Sequence, residues 1–358
     1  MRKNRFLLIS IVIITAIIAV ISIFSARKSG TISDSDKNFA VSDTASVTKI
    51  FLANKNHVTT LLERNQNDNG WTVNGQWEAS KPMMELLLTT ICRIRPESPL
   101  PKTATENIIK RLSSNAIKIE IYGIDYRIDF WGIKWFPHET MLRCYYVGDV
   151  TQDNLGTYML KDGSKIPFIV VLPGHRGYVS SRYETAPEAW RTHRIFDAAA
   201  HEIERICIEN MTNPNASFMI NTNVTSGKFA LTTPTGEPVP QKLDSLKVYN
   251  YLNSFKRINF ESFTFNYLNQ HSVDSILNTT PIFNVTLTLK EGTTHRLRIY
   301  PIIYNDVRDI KTDDPMTDLD RCYAYMDNGE MVVVQYFTFD KILRPRSYFY
   351  LQVTNHKP

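Results

Sequence analysis

The chain has 358 residues, 43% of them apolar and 11% aromatic, enough for two domains of ordinary size with separate cores, which excludes a disordered or fibrous protein. Its formal net charge of +5 has a local origin: Arg2, Lys3, Arg5, Arg27 and Lys28 lie in a stretch without Asp or Glu, and taking these five from 41 basic residues leaves 36, equal to the 36 acidic ones. A neutral remainder excludes the basic footprint expected of a nucleic-acid binder.

Between those cations runs "FLLISIVIITAIIAVISIFSA", residues 6–26, uncharged and, as a helix, roughly 30 Å long, the thickness of a bilayer's hydrocarbon core. It exceeds a signal-peptide h-region, and "SIFSARKSG" offers a poor cleavage site, so the sequence predicts an uncleaved transmembrane anchor behind a cytoplasmic stub of residues 1–5. The greater N-terminal positive charge orients it as a single pass with an extracytoplasmic body. Residues 27–43, "RKSGTISDSDKNFAVSD", read as a polar tether.

The body shows one plan written twice, predicting two tandem α+β modules, residues 44–195 and 196–358, of mainly antiparallel sheet with packed helices. "SVTKIFLAN" places Val47, Ile50 and Leu52 as "EIERICIEN" places Ile203, Ile206 and Ile208. A hairpin follows in each, marked by "GWTVNGQW" and "GKFALTTPTG", and then an amphipathic helix. Its apolar stripe is Met84, Leu87, Leu88, Ile91 and Ile94 in the first module, and Leu243, Leu246, Tyr249, Leu252 and Phe255 in the second. "TENIIKRLSSNAIKIEIYG" and "HSVDSILNTTPIFNVTLTLKEG" both read as short helix, break and alternating strand, the mark of a sheet with one covered face. Arg-Cys-Tyr occurs in both modules, at 143–145 and 321–323.

"FAVSDTASVTKIFLA", "GWTVNGQWEA", "GTYML", "PFIVVLPG" and "VQYFTFDKILRPRSYF" resemble the bacterial envelope proteins grouped as domain of unknown function family 4340 (DUF4340), over roughly residues 38–350. The resemblance implies an accessory component anchored in the bacterial inner membrane, some relatives standing beside ABC-transporter assemblies. It supplies no active site.

No catalytic residue or cofactor is assigned. "HEIER" opens like a zinc-protease helix but has Arg205 where the second His ligand is required, and His175 has no partner legible in sequence. Cys92, Cys144, Cys207 and Cys322 show no metal spacing; they are either buried free thiols or disulfide-linked in one of three pairings. The aspartate-rich stretch 306–320 offers Asp313, Asp314, Asp318 and Asp320 as calcium candidates, although the order and turn glycine of an EF-hand are missing, and a solvated strand connection is the plainer reading. "DFWGIKWFPHE" brings Phe130, Trp131, Trp135 and Phe136 together, either as core or as a contact surface for a protein or a membrane interface; the second module has the apolar "RIYPIIYNDV" at the matching place.

These readings predict a membrane-anchored accessory protein that docks an envelope partner, with Phe130, Trp131, Trp135, Phe136 and Tyr178 as the candidate surface. The alternative is a small-molecule or glycan binding protein using a cleft between modules, and a third reading is an envelope hydrolase.

Overall fold

The computed structural model describes residues 14–18, 35–65, 70–130, 133–223, 228–308 and 315–351. Among them no helix is long and apolar enough to cross a membrane. This corrects the expected anchor over residues 6–26, and with it the single-pass inner-membrane placement. Of that stretch only residues 14–18 are described, as helix; the others lie outside the described residues.

The chain divides into two compact units, Met1–Thr192 and His193–Pro358. Both are mostly antiparallel sheet with few helices, which corrects the α+β assignment. In the first unit the strands are β1 (Val47–Ala53), β2 (Thr59–Arg64), β3 (Trp71–Val73), β4 (Trp77–Glu78), β5 (Arg95–Pro99), β6 (Ile117–Phe130), β7 (Ile133–Val150), β8 (Thr157–Lys161) and β9 (Phe168–Val171). Helices α1 (Lys81–Arg93) and α2 (Lys102–Asn115) flank β5. The second unit has β10 (Arg194–Phe196), β11 (Ile203–Asn210), β12 (Phe218–Asn223), β13 (Lys228–Thr232), β14 (Ile258–Asn259), β15 (Ser262–Phe263), β16 (Phe283–Leu289), β17 (Thr294–Arg308), β18 (Pro315–Met326) and β19 (Met331–Gln335), with α3 (Ser245–Asn253), α4 (Gln270–Leu277) and α5 (Tyr336–Phe339).

Sheet order is β4-β3-β2-β1-β6-β7-β8-β9-β5 in the first unit and β13-β12-β11-β16-β17-β18-β19-β15 in the second. Apart from the two-residue β4, the strands correspond one to one. Each sheet joins two local meanders through one non-local ladder. In the first, Ile50 lies opposite Ile121 and Leu52 opposite Ile119; in the second, Ile206 lies opposite Leu287 and Ile208 opposite Val285. All eight side chains are buried, because period-2 alternation turns them to one face. The other face of β6 is wetter: Lys118 Nζ stands 2.6 Å from Glu120, which also accepts the Tyr122 hydroxyl at 2.7 Å.

Helix α1 lays Met84, Leu87 and Ile91 on the first core and stops at Ile94, just before the Arg95-Pro96 step that disfavours further helix. Helix α3 is capped by Asp244, whose carboxylate accepts the Leu246 and Lys247 N–H groups. Its buried residues are Val248, Tyr251 and Leu252, whereas Leu246 and Tyr249 are exposed. The expected stripe advanced strictly by three. At 3.6 residues per turn such a stripe drifts by about 60° with each step and leaves the covered face.

Of the expected tether, residues 35–43 are described, and part of them packs onto the first unit. Phe39 and Val41 are buried; the Val41 N–H donates to Ile91 O at 3.2 Å, and Arg143 Nε donates to Ala40 O at 3.0 Å. In the second unit the Ala198 N–H donates to Phe255 O at 3.3 Å, so an incoming strap bonds the end of the main helix in each. The shared Arg-Cys-Tyr, by contrast, is not a matching element. Residues 143–145 lie on β7 and 321–323 on β18, one place further along the sheet, and Tyr145 faces the core where Tyr323 does not.

Phe39 meets Tyr145 and Phe168 edge-on at centroid distances of 5.8 and 6.1 Å. Phe39→Ala is therefore expected to lower stability by about 3 kcal/mol or more, the usual cost of emptying a phenylalanine site, read as a fall in the urea midpoint. A mere tether residue would leave that midpoint unmoved.

Candidate functional site

Each unit extends one hairpin beyond the body of its sheet as a two-stranded arm. In the first, β6 pairs with β1 only as far as Gly123, and β7 pairs with β8 only from Tyr145. Beyond the Ile124 N–H bond to Ser46 O at 2.9 Å, the ladder between these limits joins β6 and β7 to each other, through Asp125 opposite His138, Tyr126 opposite Pro137 and Ile128 opposite Trp135. Gly123 permits the close crossing at the base: a Cβ there would come within 2.6 Å of Leu142 Cδ1 and 2.7 Å of Ser46 O.

Trp135 and Phe136 sit on this arm with 58% and 64% of their surface exposed, and Met141 nearby with 49%. All three are exposed and none belongs to the core. Phe136 has a φ of 56°, the left-handed region that a bulky side chain rarely occupies. Phe130 ends β6, its side chain outside the described residues, and Trp131 lies outside them altogether. Tyr178 is exposed in the loop after β9, on a different segment from the arm.

The second unit grows its arm from the next hairpin in order, β17–β18, while its β16–β17 connection is tight, with Thr288 opposite Thr294. "RIYPIIYNDV" therefore does not occupy the place of "DFWGIKWFPHE". At the base of this arm Pro301 pairs with Cys322 and Ile303 with Thr317, so that the single residue Ile302 faces the excursion 318–321. Asp318 holds this wide bulge. Its Oδ1 accepts the Asp320 and Arg321 N–H groups, each at 2.9 Å, and its Oδ2 accepts the Tyr304 hydroxyl at 2.8 Å and Arg321 Nε at 3.3 Å. Burial pushes the Asp318 carboxyl up, but the bonds from Tyr304 and the two N–H groups, with the charge of Arg321, outweigh it and hold the group below the usual carboxylate range.

The bulge turns Leu319 into solvent, 82% exposed. Phe337 of α5, 89% exposed, lines with it a hollow of about 600 Å³ whose wall also carries Glu261, Asp320, Arg321 and Asp340. The sequence reading missed this place. Its trace is a break in the alternation of "MTDLDRCYAYM": Cys322 and Ala324 face the core, and the apolar Leu319 falls out of their phase.

Of the four calcium candidates in the acidic stretch, two are described. Asp318 spends both oxygens on protein donors, Asp320 is exposed, and Asp313 and Asp314 lie outside the described residues. Among the described residues no group of three or more His, Cys, Asp or Glu is arranged to hold a metal ion. The four cysteines are free thiols. Burial pushes Cys144 and Cys207 up to about 11 and Cys322 up to about 12, which leaves all three protonated and weakly nucleophilic at neutral pH.

In the first unit a cavity of about 620 Å³ lies between the β3–β4 hairpin and the start of α1. Trp71 and Trp77 line it with Met84 and Leu88. Each indole is braced by a guanidinium, Arg64 at 4.8 Å from the Trp71 ring centre and Arg191 at 4.6 Å from that of Trp77. Comparison with protein-family models, with curated proteins and with solved structures finds no match for this chain.

The depressed Asp318 carboxyl makes a signed prediction. A group whose folded pKa lies below its unfolded value stabilises above the unfolded value and loses that contribution as pH falls through the folded one. Wild type should exceed Asp318→Asn in urea midpoint at neutral pH, and the difference should shrink as the medium is taken below about pH 4. A difference that stays constant with pH would count against this assignment.

Proposed function

We propose that this chain is a non-catalytic docking protein that engages a protein partner through apolar side chains carried on its two arms. The observation that carries the reading is Phe136: a bulky aromatic kept in left-handed backbone and largely exposed beside Trp135. Strain of this kind costs about 1–3 kcal/mol and persists where a function requires the geometry. Aromatic side chains are also the residues that dominate binding energy at protein interfaces. The resemblance to domain of unknown function family 4340, with its accessory-type members, is proposed in the same sense.

The test separates structure from function at one position. Phe136→Gly removes the strain and the ring together, so stability should stay level or rise by about 1 kcal/mol. Recovery of the cross-linked partner, identified by mass spectrometry from the source cells, should nevertheless fall about tenfold or more in Phe136→Gly and in Trp135→Ala. Recovery that is equal in wild type and both variants would defeat the reading.

A second reading is favoured by the cavity at Trp71 and Trp77. Its volume lies in the range of small-molecule sites, and the lining charges balance, Arg64 and Lys81 against Glu78 and Glu85. A neutral ring with one apolar face, such as a sugar, suits such a wall. Titration with neutral oligosaccharides should then give a saturable rise in melting temperature that is lost in Trp77→Ala; a flat response across the series removes this reading.

A further inference from the structure

We infer that the hollow beside the second arm receives a basic, apolar segment of the partner polypeptide, a lysine or arginine side chain set between apolar ones. The inference rests on the docking reading above and names the chemistry of what docks. Leu319 and Phe337 are the most exposed large apolar side chains among the described residues, and they flank the same hollow. Single exposed apolar groups are ordinary on a protein surface, but two lining one hollow offer paired anchor points for an apolar partner.

The charge of the wall selects the partner. Glu261, Asp320 and Asp340 line the hollow with carboxylates, and Arg321 is the one cation among the lining residues. Arg321 is already engaged: its Nε donates to Asp318 at 3.3 Å, and its Nη1 stands 3.9 Å from Glu261. Counting Asp318 behind the wall, four carboxylates face one guanidinium. An incoming cation therefore meets favourable potential, and an incoming carboxylate meets repulsion.

The surface is also built in advance. Four donors on the buried Asp318 fix the bulge that carries Leu319 and Asp320, so the backbone is ordered before a partner arrives. Preorganisation of this kind lowers the entropy lost on binding. A bulge is a retained feature of a strand pair and commonly re-aims a side chain; here it aims a leucine at solvent beside two acids.

The experiment uses the full chain and two short fluorescent peptides, one alternating lysine with leucine and phenylalanine, the other its twin with glutamate in place of lysine. Fluorescence anisotropy should show saturable binding of the basic peptide, weakened by salt, with the acidic twin bound about tenfold more weakly or worse. Leu319→Ser and Phe337→Ser, both at exposed positions that leave the core untouched, should each cost about tenfold in affinity. Asp340→Asn should flatten the salt dependence. Equal binding of the two peptides, absence of binding, or binding unchanged in Leu319→Ser and Phe337→Ser overturns the inference. If the Trp135-dependent partner is still captured while these peptides fail, the hollow assignment alone falls; if neither occurs, the docking reading falls with it.

Discussion

The structure depends on one non-local ladder in each unit: β1 against β6, and β11 against β16. Every other strand pair in the two large sheets, except those of the edge strands β5 and β15, joins neighbours in sequence, and such pairs form at little loop-closure cost. The two central ladders close the long excursions that contain the helices, and they do so with isoleucine, leucine and valine opposite one another on the buried face. Without that pairing each unit would be two separate meanders, neither with an apolar face fully covered. The strap, the helix and the arms all attach to this frame.

The arms show what the frame allows. A hairpin that outruns its neighbours loses lateral hydrogen bonds on both edges, so its geometry is set at the base. In the first unit Gly123 lets the crossing strands approach, and in the second a buried carboxylate with four donors fixes the bulge. Burying Asp318 costs desolvation, which the hydrogen bonds and the neighbouring guanidinium offset. Neither the exposed Phe136 in left-handed backbone nor the outward Leu319 adds to the core, and each local rule broken here is broken at an exposed position.

The duplication carries its own lesson about reading repeats. Val47, Ile50 and Leu52 do correspond to Ile203, Ile206 and Ile208, since both triplets start the central strand of a sheet. The identical Arg-Cys-Tyr triplets misled, because they lie on β7 and β18 and turn opposite residues inward. Three matching letters carry little information beside a matched order of elements. The stripe on α3 failed for a related reason: a period of three is close to 3.6 over one turn and far from it over four.

The sequence by itself determined the central strands and their buried faces, the hairpin after each and the helix that follows it, because these follow from alternation, turn residues and helical periodicity, all of which act over a few neighbouring positions. It also showed the aromatic density of "DFWGIKWFPHE" while leaving core and surface open, since composition does not say on which side of a sheet a residue ends. Only the tertiary structure decided that Trp135 and Phe136 are exposed, that Phe39 belongs to a strap inside the first core, and that Leu319 and Phe337 face one hollow. Those facts depend on which strands pair and where each pairing ends. Pairing is a contest among distant segments for the same backbone hydrogen bonds and the same apolar cover, and no local pattern records its outcome.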